Sequence, residues 1–141
     1  MGRVLAIDYG QKRTGLAVTD ELQMIAGSLG FVQTKEIFNY ISNYLKNNVV
    51  DAFVIGQPRQ MDNTNSEASR FIEPFVLKLG RLYPHIPIVR IDERFTSKLA
   101  FQTMIEAGLK KKDRQNKGLV DSVSATIILQ SYLELKANQQ I

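Results

Sequence analysis

The sequence predicts an α/β fold: a mixed five-stranded sheet, made of an antiparallel meander of three strands plus two parallel strands, flanked by helices. Three observations predict it. The N-terminal part carries short apolar or alternating runs punctuated by glycine, which is the signature of strands joined by turns. From Ile37 onward apolar residues recur at helical spacing, and these stretches alternate with two further short apolar runs, as in βαβα units. The chain has 141 residues, 44% of them hydrophobic, enough for one domain over residues 1–141 with a real core.

Taken in order, residues 3–8 form a strand-like run whose Val4, Leu5, Ala6 and Ile7 lead into Asp8. A turn containing Gly10 covers residues 9–13. Residues 14–19 read as a second strand, with Leu16 and Val18 alternating against Ala17 and Thr19. Residues 25–32 read as a third, weaker strand, loosened by Gly27 and Gly30. Ile37, Ile41, Tyr44 and Leu45 mark a helix. Residues 52–56 form a short apolar run, read as a buried strand, and a polar loop covers 57–65. Phe71, Ile72, Phe75, Val76, Leu79 and Leu82 make a wide helical stripe that Pro84 and Pro87 end. Residues 88–91 are the fifth strand. A helix is expected over 96–107, closed by Gly108, then a basic segment over 109–117 and a last helix from Gly118 to Ala137. Parallel crossovers of this kind are right-handed, and ligands bind outside the carboxyl ends of the parallel strands.

Composition removes several chemistries. With no cysteine there are no disulfides, thiolate zinc sites or cysteine nucleophiles. The first residues reach Asp8 too early for a signal peptide, and no apolar run approaches the ~20 residues of a membrane span. The expectation is a cytoplasmic protein that does not touch membrane. Lys and Arg number 18 against 14 Asp and Glu, a net charge of +4, which favours polyanionic partners. The excess is concentrated: Lys110, Lys111, Lys112, Arg114 and Lys117 fall in one short stretch, poised either to contact nucleic-acid phosphates or to form a solvated loop.

Three acids stand where ligands should bind. Asp8 ends the first strand, and Lys12 and Arg13 lie between Gly10 and Gly15, so backbone amides and cations can both approach a phosphate there. The plain alternative is an Asp that only initiates a turn. Asp92, Glu93 and Arg94 follow the fifth strand. Strand neighbours point to opposite faces, so one of the two acids faces the site, while Thr96 is available to cap the next helix. Asp121 shares a helical stripe with Ala125, Ile128 and Tyr132. A buried carboxylate there is expensive without a partner or a metal, although the helix dipole offers it a milder role. Oxygen donors without cysteine suit a hard cation, Mg²⁺ or Mn²⁺. His85, in a proline-flanked turn, reads as an ordinary surface residue.

These residues together resemble the YqgF/RuvX family of bacterial ribonuclease-H-like proteins, described as Holliday-junction resolvases and as pre-16S ribosomal RNA nucleases. The matching pieces are Ala6-Ile7-Asp8-Tyr9-Gly10 with Arg13-Thr14-Gly15-Leu16-Ala17, and Val54-Ile55-Gly56 with Pro58 and Met61-Asp62. Asp92-Glu93-Arg94-Phe95-Thr96-Ser97 and the stretch from Lys117 to Leu129 complete the set. Gln57 and Ser124 depart from the family pattern at positions that carry no ligand. The resemblance implies a ribonuclease-H-like nuclease whose acidic triad is Asp8, Glu93 and Asp121, holding Mg²⁺ or Mn²⁺. Lys12, Arg13, Arg94 and the basic run are then available to the nucleic acid. It implies a substrate of precursor ribosomal RNA or of branched DNA, in a monomer or a homodimer. A catalytically silent nucleic-acid-binding protein of the same fold is the other reading. The nucleotide-binding proteins that share the opening Asp-x-Gly turn close two lobes, for which this chain has no room.

Overall fold

Apolar residues on both sides of the central strands build a sheet buried on two faces. The computed structural model describes residues 2–57, 69–92 and 117–138. Strands β1 (Arg3–Asp8), β2 (Arg13–Thr19) and β3 (Ala26–Gln33) form the antiparallel meander, and a single 3₁₀ turn over Thr34–Glu36 leads into α1 (Ile37–Asn47). Strand β4 (Val50–Gln57) lies parallel to β1, and β5 (Ile88–Asp92) parallel to β4, with α2 (Ser69–Leu82) between them in the chain. The last described element is α3 (Lys117–Asn138). The strand order is β3-β2-β1-β4-β5, which is the expected mixed five-stranded sheet.

Period-2 alternation assigns each residue to a face. Leu5 and Ile7 of β1 join Leu16, Val18, Phe53 and Ile55 in a cluster with Ile37 and Ile41 of α1 and Ile72, Phe75 and Leu79 of α2. Val4 and Ala6 face the other way and join Ala17, Ala52, Val54 and Ile91 beneath Ala125, Ile128 and Leu129 of α3. The alanines on this second face let α3 lie close to the sheet. Each large apolar side chain buried in these layers contributes about 1.5–3 kcal/mol.

The fully buried hydroxyls of Thr14 and Thr19 are hydrogen-bonded. Thr19 is fully buried, and its hydroxyl accepts the Val4 N–H at 2.9 Å, where the β1–β4 register shifts between Arg3 and Val4. Gln23, in the β2–β3 hairpin, adopts a left-handed φ of 57°. Its amide donates to the Gly2 carbonyl (2.8 Å) and the Asp51 carboxylate (2.9 Å) and accepts from Lys136 Nζ (2.7 Å). One side chain thereby joins the hairpin to the start of β1, the start of β4 and the last turn of α3.

Several boundaries differ from the sequence expectation, each for a physical reason. β2 starts at Arg13 because that residue pairs with Gln33, and β3 correspondingly runs on to Gln33. β4 extends from Val50 to Gln57, because Val50 pairs with Arg3 and Gln57 with Asp92. Asp92 is therefore the last residue of β5 and does not follow it. α2 carries Pro74 inside it, which forfeits one intrahelical hydrogen bond without ending the helix. The helix expected over 96–107 lies outside the described residues. So do the polar loop beyond Gln57 up to residue 65 and the basic segment before Lys117. No described helix is long and apolar enough to cross a membrane.

Candidate active site

Asp8 is the last residue of β1, half-buried, at the carboxyl end that parallel topology reserves for ligands. It follows Ile7, which faces α1 and α2, so Asp8 faces the α3 side. Directly opposite in β2 is Gly15, which has no side chain to fill the space beside the carboxylate. Arg13, two residues earlier in β2, shares that face.

The turn after Asp8 is fixed from outside. A Cβ at Gly10 would collide with the carbonyl oxygen of Arg13, so the tight turn admits only glycine there. Thr34, at the end of the meander, donates its hydroxyl to the Gly10 carbonyl at 2.6 Å. It has only one hydroxyl proton, so the 2.8 Å contact with Thr14 Oγ1 has Thr14 as donor. The Thr34 backbone N–H donates to the Lys12 carbonyl at 3.0 Å. These bonds hold Lys12 and Arg13 beside Asp8. Thr34 is a residue that sequence reasoning misses. Its partners lie 20 and 24 positions away, so no local pattern signals them.

The direction of α3 brings a second acid to this edge. Lys136 is anchored through Gln23 to Gly2, so the end of α3 lies at the start of β1 and its beginning at the end of β1. About 22 Å of helix separates Asp121 from Lys136, and about 20 Å of strand separates Gly2 from Asp8. The Asp121 backbone is therefore level with Asp8. It stands one turn before Ala125 on the face of α3 that covers the sheet.

Asp92 is placed differently. Val89 and Ile91 pack on the α3 side, whereas Arg90 reaches α2, where its Nη1 meets Glu73 Oε1 at 2.9 Å. Alternation then turns Asp92 towards α2, away from the face of Asp8. Arg90 also donates through Nη2 to the Gly56 carbonyl at 3.4 Å, holding the carboxyl end of β4.

Of the other expected site residues, Lys12 is exposed on the turn and Arg13 half-buried at the start of β2. Glu93, Arg94, Lys110, Lys111, Lys112 and Arg114 lie outside the described residues. Lys117 opens α3. Among the described residues no three His, Cys, Asp or Glu side chains converge as a metal site. His85 is exposed, and the donor at the Asp8 edge is oxygen, which fits a hard divalent ion and no soft one.

Known proteins are similar to this chain. A family model described as RuvX, Holliday junction resolvase, matches residues 2–135. A relative in Bacteroides fragilis, provisionally named pre-16S rRNA nuclease, is 58% identical over 96% of this chain and 99% of its own length. One in Flavobacterium johnsoniae, with the same provisional name, is 51% identical over 96% and 99%. Among solved structures, T. thermophilus RuvC in complex with Holliday junction substrate superposes with a TM-score of 0.57, at 17% identity, covering 94% of this chain and 96% of that one. A second Thermus thermophilus RuvC structure gives a TM-score of 0.55 at 13% identity over the same shares. At this identity the likeness shows the fold, a ribonuclease-H-like one.

Proposed function

This chain belongs to the RuvX family and is by that membership a nuclease, and from that premise we propose that it is a metal-dependent endonuclease that processes the 5′ end of pre-16S ribosomal RNA. One geometric observation carries the chemistry: Asp8 and the Asp121 backbone lie level on the same side of the sheet, beside the space left by Gly15. The substrate reading is supported by the provisional names of relatives that match almost end to end. A cytoplasmic location follows from the same substrate.

The middle carboxylate of the proposed triad is Glu93. Asp92 ends β5 on the α2 side, away from the face of Asp8, which supports its chain neighbour for the middle position. Asp8, Glu93 and Asp121 would hold Mg²⁺ or Mn²⁺, which supplies activation of water and stabilisation of the leaving phosphodiester oxygen. Arg13, on the same face, would orient the substrate phosphate. Lys12, Arg94 and the basic run up to Lys117 would hold flanking phosphates as point charges.

Parallel cleavage assays on precursor 16S ribosomal RNA and on a synthetic four-way DNA junction test this reading. With Mn²⁺ or Mg²⁺ the RNA is cut at its 5′ flank, and excess EDTA stops the reaction. Cleavage of the junction alone overturns the RNA assignment in favour of junction resolution. Full activity in EDTA overturns the metal, and no cleavage of either substrate leaves a non-catalytic binding protein.

A further inference from the structure

Tyr9, immediately after Asp8, does not return to the sheet. Its ring stacks on Phe75 of α2 with centroids 4.4 Å apart and planes 19° from parallel. Phe75 meets Phe38, in the first turn of α1, at 5.3 Å and 46°. Lys78 Nζ stands 4.5 Å above the Phe38 ring. A continuous aromatic strip therefore runs from the Asp8 end of β1 across α2 to the start of α1. Phe75 is buried, and core packing accounts for it. Tyr9 and Phe38 are half-buried, and Phe71, one helical turn before Phe75, is 47% exposed, which core packing does not require.

Cations flank this strip. Lys12, Lys35 and Lys78 are all exposed, and the bond from the Thr34 N–H to the Lys12 carbonyl brings the backbone just before Lys35 to that of Lys12. The acids nearby are engaged: Glu73 pairs with Arg90 at 2.9 Å, and Glu36 accepts from Asn39 at 3.1 Å. Half-exposed rings with interleaved lysines match the chemistry of a single strand, whose unstacked bases can lie on rings while its phosphates meet cations. A duplex offers no free base faces and gains nothing from the rings.

We propose that the half-buried rings of Tyr9 and Phe38, bridged by the buried Phe75, with Lys12, Lys35 and Lys78, receive the single-stranded RNA flank of the substrate as it leaves the active edge. This rests on the precursor-RNA reading above and adds the path of the strand. Lys78 occupies the Phe38 face through a cation–π contact in the free protein. When a base takes that face, the ammonium moves to the adjoining phosphate, so one substitution by RNA satisfies both groups.

The test is binding in EDTA, where nothing is cleaved, by fluorescence anisotropy of two RNA hairpins. One is blunt; the other carries a 5′ single-stranded flank of about eight nucleotides. Wild-type protein binds the flanked hairpin more tightly. The double variant Lys35→Gln/Lys78→Gln lowers affinity for the flanked hairpin about tenfold and reduces its salt slope by roughly 1.4, two single-strand phosphate contacts. Phe38→Leu lowers it about fivefold or more and leaves the slope unchanged, as loss of stacking does. Affinity for the blunt hairpin stays the same in all of them. The lysine variants alter exposed side chains only, so they test the strip even if Phe38→Leu fails to fold. Equal losses on both hairpins, or none on the flanked one, overturn the strip while leaving the nuclease reading intact. A wild-type protein that ignores both RNAs and binds flanked DNA overturns the strip together with the RNA reading.

Discussion

Asp8 and Asp92 both end parallel strands at the same edge of the sheet, yet they point to opposite faces. β4 lies between their strands, and the pairings of Ile7 with Ile55 and of Gln57 with Asp92 fix the offset. Side chains paired across parallel strands share a face, so Asp92 belongs with Ile7 and Arg90 and Asp8 with Val54 and Ile91. Of two neighbouring acids that look interchangeable in the sequence, Asp92 is thus set on the face away from Asp8.

The first prediction follows from that parity. Asp92→Asn retains most metal-dependent cleavage, whereas Glu93→Gln loses more than about a hundredfold in kcat, the scale of a misplaced reacting group. Single-turnover cleavage of a precursor RNA with Mn²⁺ compares the two. An inactive Asp92→Asn with a fully active Glu93→Gln assigns the middle position to Asp92 instead.

Thr34→Val tests the bracing of the Asp8 turn. Valine keeps the branched shape but gives up the 2.6 Å bond to Gly10 and strands the fully buried Thr14 hydroxyl, which now donates to Thr34. The expected cost is about 1–3 kcal/mol, because a buried donor is left unmade. A domain of this size then melts about 2–4 °C lower for each kcal/mol. Cleavage falls with it, since the turn that carries Lys12 and Arg13 keeps only the backbone bond from Thr34 to the Lys12 carbonyl. A melting temperature equal to wild type refutes the bracing role.

The expected elements and the observed ones agree where a repeating period marks them. The alternation of Leu16 and Val18 with Ala17, the stripe around Phe75, and the apolar run ending in Asp8 are local patterns, and each sets an element and its buried face. The stripe through Ala125 and Ile128 likewise puts the Asp121 position on the sheet side of α3. What leaves no trace in the sequence is contact between distant residues. Thr34 meets Gly10 through a hydroxyl, Gln23 meets Lys136 across 113 positions, and Tyr9 finds Phe75 in another helix. None of these has a period. The ends of β4 escape for a related reason: Val50 and Gln57 are strand residues because Arg3 and Asp92 pair with them, not because of their own neighbours.

Asp20 supplies a pH prediction. Its Oδ1 accepts the N–H groups of Met24 at 2.8 Å and Ile25 at 2.9 Å, and its Oδ2 that of Leu22 at 3.3 Å. The Ile25 N–H, followed by that of Met24, holds the carboxyl below its ordinary value of 3.8. The folded state therefore prefers the ionised form. The contribution is complete above the ordinary value and disappears as pH falls through the depressed one. The melting-temperature gap between wild type and Asp20→Asn accordingly narrows as pH falls from about 5 through the depressed value. A gap that widens on acidification contradicts the hairpin geometry.

Asp121→Asn separates a metal ligand from a helix-end acid. α3 begins at Lys117 and has no acid in its first turn, so Asp121 lies one turn in, where the dipole's pull has already faded. Its backbone is instead level with Asp8, and with Glu93 added, three like charges would share one edge. As a metal site, the three carboxylates would repel one another in the metal-free protein. Replacing one by a neutral amide relieves the repulsion, while an amide oxygen is too weak a donor to keep the ion. The expected outcome is an inactive variant that, in EDTA, melts at or above the wild-type temperature. A helix-end acid predicts the reverse, a loss of about 0.3–1 kcal/mol with cleavage preserved. Melts in EDTA beside cleavage in Mn²⁺ read both quantities on the same preparation. An active and destabilised Asp121→Asn removes Asp121 from the triad and leaves Asp8 to be matched with another acid.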